Sequence, residues 1–196
     1  VKRIDAIRAI HPKIEGCAVV TIMGATAAEL HACGHRPNFF YLEHAMGLAS
    51  SIGLGIALSR PDLKVVVLEG DGSVLMNLGG LTTLARYAPP NLVQVIFDNE
   101  VLLSVGVSFT TATGGPSDLA DLAAAAGISR TGTCRSVTAL ETALEEALAA
   151  TETATIVAKV DPEGPESYAV EPHMLENRFE FQRALARMGD PPHRPE

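Results

Sequence analysis

The sequence predicts an α/β fold, a parallel sheet with helices on both faces. Three observations carry this. Apolar, mostly Val-rich runs over 17–23, 64–69, 92–97 and 155–160 are separated by stretches with helical patterning. Apolar residues make up 47% of the 196, enough to bury a sheet between two helical layers. Polar, glycine-bearing punctuation follows two of the runs, as Gly70-Asp71-Gly72-Ser73 and as Asp98-Asn99. The expected organisation is one α/β domain over 1–160 and a C-terminal extension with a single helix over 161–196.

Taken in order, residues 1–15 carry Ile4, Ile7 and Ile10 at helical spacing and close at His11-Pro12, a short lead-in helix. A buried strand over 17–23 is followed by a tight loop, Gly24-Ala25-Thr26, and a helix over 27–32. Thr26 has two readings, a ligand contact after a first parallel strand or a helix cap. A short strand at 39–42 leads to a helix over 43–58. There Gly47, Ser51 and Gly55 recur at four-residue steps and predict a close-packed face. A single crossover helix over 73–88 has Leu75, Leu78, Leu81 and Leu84 as its stripe. Its Gly79-Gly80 pair costs about 1 kcal/mol per glycine relative to Ala, which close approach to another backbone would justify.

Beyond the strand over 92–97, residues 100–116 form a long loop at the ligand edge. Ser117 is placed to cap a helix over 118–126 that stops at Gly127. A short strand is expected over 128–131. Thr138 and Glu141 form a capping box for a helix with Leu140, Leu144 and Leu148 on its apolar face. The last strand covers 155–160, and a final amphipathic helix covers 177–188.

The two punctuated strand ends are the candidate site. Parallel strands joined by a helical crossover open on the same edge, so Asp71 and Asn99 can meet although a helix separates them in sequence. A carboxylate, an amide oxygen and the backbone carbonyl of Val101 suit a small hard cation such as magnesium, which also takes phosphate oxygens. Gly70 and Gly72 allow a tight turn and close approach. The amides opening the following helix point at an anion, so a diphosphate completes the set. The plain alternative is two ordinary strand-end turns.

This is the residue pattern of thiamine diphosphate enzymes. From Val19 to about Ser108 the sequence resembles the cofactor-binding, beta-type subunit of the sulfopyruvate and phosphonopyruvate decarboxylase family. The resemblance rests on Met23-Gly24 with Glu29-Leu30, and on Arg36-Pro37-Asn38-Phe39-Phe40-Tyr41. It continues through Met46-Gly47 to Gly55, Gly70 to Gly79, Asp98-Asn99 and Ser104-Val105-Gly106, with weaker likeness near Arg178-Phe179. It implies that Asp71, Ser73 and Asn99 hold metal and phosphates, and that Met46 lies beneath a bent cofactor. The backbone carbonyl at His44 would accept from the 4′-amino group; the family usually has Gly there. Asp98, where the family often has Asn, is expected to turn inward onto backbone amides. The glutamate that activates the cofactor lies on the pyrimidine-binding half in this family. No such module is visible here, so no catalytic residue is assigned. The other half of the site is implied to come from a pyrimidine-binding, alpha-type partner subunit in a hetero-oligomer, or from another part of the same chain. The activity implied is decarboxylation of a small 2-oxo acid. A carboligase like acetolactate synthase and a noncatalytic phosphate-binding module are the alternatives. Val101-Leu102-Leu103 stand where phosphonopyruvate enzymes carry polar residues, which predicts that the partner supplies the anion-binding residues, that the substrate end facing this loop is apolar, or that both leucines point into the core.

Composition excludes other classes. A net charge of −8 offers no basic face for nucleic acid. Cys17, Cys33 and Cys134 are scattered, which predicts neither a disulfide framework nor an iron–sulfur site and fits a reducing cytoplasm. His31-Ala32-Cys33-Gly34-His35 has metal-ligand residue types, but a structural zinc needs four ligands and no second cluster is present; a polar loop is expected. The charged start is no signal peptide, and the run over 18–23 is too short to span a membrane.

Overall fold

The computed structural model describes residues 1–103, 109–171 and 173–189. Its centre is a six-stranded, all-parallel sheet in the order β2-β1-β3-β4-β6-β5. The strands are β1 (Ala18–Thr21), β2 (Phe39–Tyr41), β3 (Val65–Gly70), β4 (Leu92–Asp98), β5 (Arg130–Cys134) and β6 (Ala154–Lys159). Every residue of β1 and β4 is buried, as expected for strands covered on both faces. Alternation sends Val19, Val66, Leu68, Val93 and Val95 to one face and Val20, Val65, Val67 and Ile96 to the other.

On the first face lie α1 (Arg3–Ile10), α2 (Ala25–Ala32) and α7 (Val137–Ala149), contributing Ile7, Ile10, Leu30, Leu140 and Leu144. On the second lie α3 (Ala49–Ser59), α5 (Gly80–Tyr87) and α6 (Leu119–Ala126), contributing Leu54, Leu81, Leu84 and Leu119. The chain leaves β1 through α2 to β2 on one side, then returns through α3 to β3 on the other. The strand order therefore reverses at β1 and β3, and the crevice beyond their carboxyl ends is the expected ligand position of such a sheet.

Several local expectations are corrected. The helix read over 43–58 begins only at Ala49. Gly47 precedes it at φ +82, a left-handed conformation that suits glycine. Ser51 and Gly55 are exposed, and nothing lies near Gly55. The close approach is made instead by Gly53, where a Cβ would sit 2.2 Å from Val67 Cγ2. The crossover is two helices, α4 (Asp71–Met76) and α5, broken at 77–79. Asn77 leaves the helix because its side-chain amide donates to the Gly47 carbonyl at 2.8 Å. Gly80 makes room for the Asn77 side chain, while Gly79 meets no neighbour. Only Leu81 and Leu84 of the expected stripe are buried.

Caps also differ. Asp118, not Ser117, caps α6 by accepting from the Ala120 and Asp121 amides. Ser136, not Thr138, caps α7 by accepting from Ala139 N–H, and Glu141 instead faces Lys13 at 3.4 Å. β5 runs two residues later than expected, and α8 (Met174–Arg187) starts three residues earlier. Within α8, Asn177 is buried and clamps the outer edge of β2. Its Nδ2 donates to Phe39 O at 2.7 Å, and its Oδ1 accepts from Tyr41 N–H at 3.0 Å. Phe181 stacks on Phe40 at 5.4 Å. The polar C-terminal stretch thus covers a sheet edge that would otherwise be open for pairing. Among the described residues, no helix is long and apolar enough to cross a membrane.

Candidate functional site

The switch crevice is a cavity of about 330 Å³. Gly24, at φ +79, ends the β1 segment and opens α2 into it. Asp71 opens α4 directly after β3, so the carboxylate is the first helical residue and not part of a loop. Of the site residues expected from the sequence, Gly24, Thr26, Met46, Gly70, Asp71, Gly72, Ser73, Asn99 and Val101 all line this one cavity. Thr26 does not cap α2: the cap position is Gly24, and Thr26 lies buried inside the first turn. His44 is the exception. It lines an adjoining cavity of about 260 Å³ that shares Met23, Gly24 and Tyr168 with the first. Its φ of +53 is left-handed, an uncommon conformation for a residue with a side chain and the reason glycine would be easier there.

Asp71 is only 2% exposed. Thr111 Oγ1 donates to its Oδ2 at 2.5 Å and Thr113 Oγ1 lies 3.3 Å from the same atom. Burial pushes its carboxyl above the usual range, against the hydrogen bonds from Thr111, Gly72 and Thr113; the neighbouring Asp98 adds to the rise. Among the described residues no Lys, Arg or His pairs with it. Asn99 is buried, and its Oδ1 accepts from Val101 N–H at 3.2 Å, which keeps one lone pair for another partner. Val101 is fixed by an antiparallel bridge to Thr110. Asp71, Asn99 and Val101 therefore line one cavity, among the described residues no cation pairs with the buried carboxylate, and these oxygen-bearing residues fit a divalent metal with an anionic ligand.

At Gly72 a Cβ would lie 2.8 Å from Leu102 Cδ1, the flexible end of a half-buried side chain that would have to shift. A Cβ at Gly70 would meet nothing so close, at φ −103 with Phe97 O the nearest atom at 3.9 Å. Leu102 and Leu103 are half-buried and line the cavity, so they are not turned into the core. Asp98 turns inward. Its Oδ1 accepts from Glu100 N–H at 3.1 Å and from Thr113 Oγ1 at 2.7 Å, while Lys159 donates to its Oδ2 at 2.7 Å. Only one of these donors is a backbone amide; the ammonium was not foreseen. Burial disfavours the Lys159 charge, but the hydrogen bonds to Asp98 and Glu100 outweigh it and raise the pKa.

Sequence reasoning also missed Thr111 and Thr113, which the 3₁₀ turn Ala112–Gly114 brings over Asp71. The Thr110-Thr111-Ala112-Thr113 run was their available signal. Arg3 lines the cavity as well. Its Nε and Nη2 grip Glu29 at 2.8 and 3.1 Å, a buried fork that ties α1 to α2. The residues of the His31–His35 loop are used separately. His31 Nε2 accepts from Glu171 N–H, and His35 lies between Tyr41 OH and Glu180. Among the described residues, no three such side chains form a metal-holding group. Burial pushes the Cys17 thiol up to about 11 and raises Cys33 and Cys134, which makes them poor nucleophiles. The Ser104-Val105-Gly106 part of the motif lies outside the described residues.

Residues 19–158 match the family model "Thiamine pyrophosphate enzyme, C-terminal TPP binding domain". Sulfopyruvate decarboxylase subunit beta of Methanothermobacter thermautotrophicus is 45% identical over 125 residues, 64% of this chain and 64% of that protein. The subunit of the same name from Methanocaldococcus jannaschii is 37% identical over 187 residues, covering 95% of this chain and 98% of the relative. A solved structure from Mycobacterium smegmatis, described as a thiamin diphosphate-dependent enzyme, superimposes with a TM-score of 0.72 at 25% identity; it matches 83% of this chain, which spans 32% of that one. The crevice, its oxygen donors and these likenesses lead to one assignment: the chain belongs to the thiamine pyrophosphate enzymes through their C-terminal TPP binding domain, as a beta-type subunit of the sulfopyruvate/phosphonopyruvate decarboxylase family.

Proposed function

We propose that this chain is the diphosphate-holding subunit of a thiamine diphosphate-dependent decarboxylase acting on a small 2-oxo acid. The observation that carries the reading is Asp71: a buried carboxylate that no cation among the described residues pairs with, at the switch point, in one cavity with Asn99 and Val101. Asp71, the Asn99 amide oxygen and the Val101 carbonyl hold magnesium. The amides of Gly72 and Ser73 face the diphosphate. Gly24 and Thr26 flank it from β1, and Met46 supports the pyrimidine end, with the His44 carbonyl beside it. When bound, the cofactor supplies the nucleophilic carbon and the electron sink for loss of carbon dioxide. This chain binds and orients it, and the largely apolar wall of Ile22, Met23, Leu102 and Leu103 excludes water.

The proton-transfer carboxylate comes from a second, pyrimidine-binding subunit, in keeping with the "subunit beta" of the relatives' names. The carboligase reading is not adopted, because the relatives matched over nearly the whole chain are named decarboxylases. Leu102 and Leu103 face the cavity and cannot hydrogen-bond a sulfonate or phosphonate, so the substrate end nearest them is apolar. The test is a rate panel on the chain assembled with its partner, using sulfopyruvate, phosphonopyruvate, pyruvate and branched or aromatic 2-oxo acids. Release of carbon dioxide that depends on magnesium and thiamine diphosphate is expected, fastest on an apolar substrate. Preference for the sulfonate or phosphonate would overturn the apolar end; inactivity on every 2-oxo acid would overturn the decarboxylase.

A further inference from the structure

A buried polar chain runs through the sheet beside the site. Glu69, one residue before the end of β3, is 1% exposed, and among the described residues no cation pairs with it. Three donors converge on its carboxylate. Ser50 Oγ donates to Oε2, Gln94 Nε2 donates to Oε2 at 3.0 Å, and Ser73 Oγ donates to Oε1 at 3.2 Å. Thr155 Oγ1 donates to Gln94 Oε1 at 2.9 Å, which fixes the amide with its NH₂ toward Glu69.

The consequence lies at Ser73. A hydroxyl has one proton, and here it goes to Glu69. The oxygen then accepts from Gly47 N–H at 3.0 Å. From the other side, Asn77 Nδ2 donates to Gly47 O at 2.8 Å, and a Cβ on Gly47 would lie 3.0 Å from Asn77 Cβ. Both groups belong to the segment that Asp71 opens. Both polar groups of the Gly47 backbone are thus held, one residue after Met46.

We propose that Glu69 is a positioning residue that acts through Ser73. It sets the loop bearing Met46 at a fixed distance from Asp71, so the Ser73 hydroxyl serves that loop and not a diphosphate oxygen. This rests on the reading that Asp71 and Met46 grip opposite ends of one cofactor. Only an acceptor fits at position 69: an amide there would bring an NH₂ group against donors already aimed at it, and Ser73 would turn away from Gly47.

The test compares wild type with Glu69→Gln, Ser73→Ala and Asp71→Asn. Two readouts are used: amide hydrogen exchange at Gly47, and calorimetric affinity for thiamine diphosphate with magnesium. Glu69→Gln and Ser73→Ala should each speed Gly47 exchange by about tenfold or more, the scale of one lost hydrogen bond, while the slowest amides of β3 and β4 keep their protection. Affinity should fall about tenfold in both. Asp71→Asn should abolish binding without speeding Gly47 exchange. Wild-type exchange and affinity in Glu69→Gln would overturn the relay. So would Ser73→Ala with lost affinity and unchanged Gly47 protection, since the hydroxyl would then be a direct ligand contact. If Glu69→Gln fails to fold, Ser73→Ala decides alone. Absence of cofactor binding by wild type would count against the proposed function, and the exchange arm would still decide the relay.

Discussion

Asp71→Asn separates the cost of the site from its use. The substitution keeps the shape and an acceptor for Thr111 but removes the charge. In the metal-free protein, burial raises the Asp71 pKa, so the folded state binds that proton more tightly than the unfolded chain does. The ionised group therefore costs stability above its folded pKa. That cost is relieved as pH falls through the folded value toward the unfolded carboxylate near pH 3.9. At pH 7 without metal, the Asn variant should be more stable than wild type. With magnesium and thiamine diphosphate at about a hundred times their apparent Kd, wild type should gain about 2.7 kcal/mol by linkage. For a chain of 196 residues that is a rise in Tm of about 5–11 °C. The variant should show none. Differential scanning fluorimetry with chelator, with magnesium alone and with both ligands reads all the states. An equal ligand-induced shift in the variant would refute the metal assignment. A variant less stable than wild type without metal would refute the argument that an uncompensated buried charge is stored there.

Lys159→Met should cost about 3–5 kcal/mol, because it leaves the fully buried Asp98 carboxylate without its cation. Adding Asp98→Asn should recover most of that loss in urea melts; no recovery would mean that Lys159 stabilises by packing. Gly53→Ala should destabilise by about 1–3 kcal/mol, since its methyl would collide with Val67 in a filled core. An unchanged denaturation midpoint would mean that α3 shifts freely on the sheet.

The strands were legible where both faces are covered. β1, β3, β4 and β6 bury all or nearly all of their residues, and so they read as apolar runs with only a few polar breaks. β5 was expected but misplaced by two residues, because its edge strand of Arg130-Thr131-Gly132-Thr133-Cys134 is held by its ladder to β6 and not by an apolar run that would mark its bounds. The break in the crossover was invisible for a different reason. Leucine spacing continues straight through it, and what bends the chain is a tertiary bond from Asn77 to Gly47, thirty residues away. The α7 cap shows the limit of local motifs: Thr138 and Glu141 satisfy the box pattern, yet Ser136 takes the amide.

The same division governs the site. Asp71 and Asn99 were legible because each directly follows or closes an apolar strand, and parallel connection puts both ends on one edge. Lys159 was not, because its partnership depends on β6 lying beside β4. Only that order, with its register, sets Lys159 opposite Asp98. One signal for the polar chain lies in the sequence itself. Glu69, Gln94 and Thr155 each interrupt an otherwise apolar buried run. A buried polar group without a partner costs about 1–3 kcal/mol, so interruptions in three strands of one sheet are tolerated only if they meet. The register pairs Gln94 with Thr155 and brings Glu69 within reach of the Gln94 amide. Polar breaks in buried strands therefore point to neighbouring strands, and here the chain they form ends on Ser73, at the wall of the cofactor cavity.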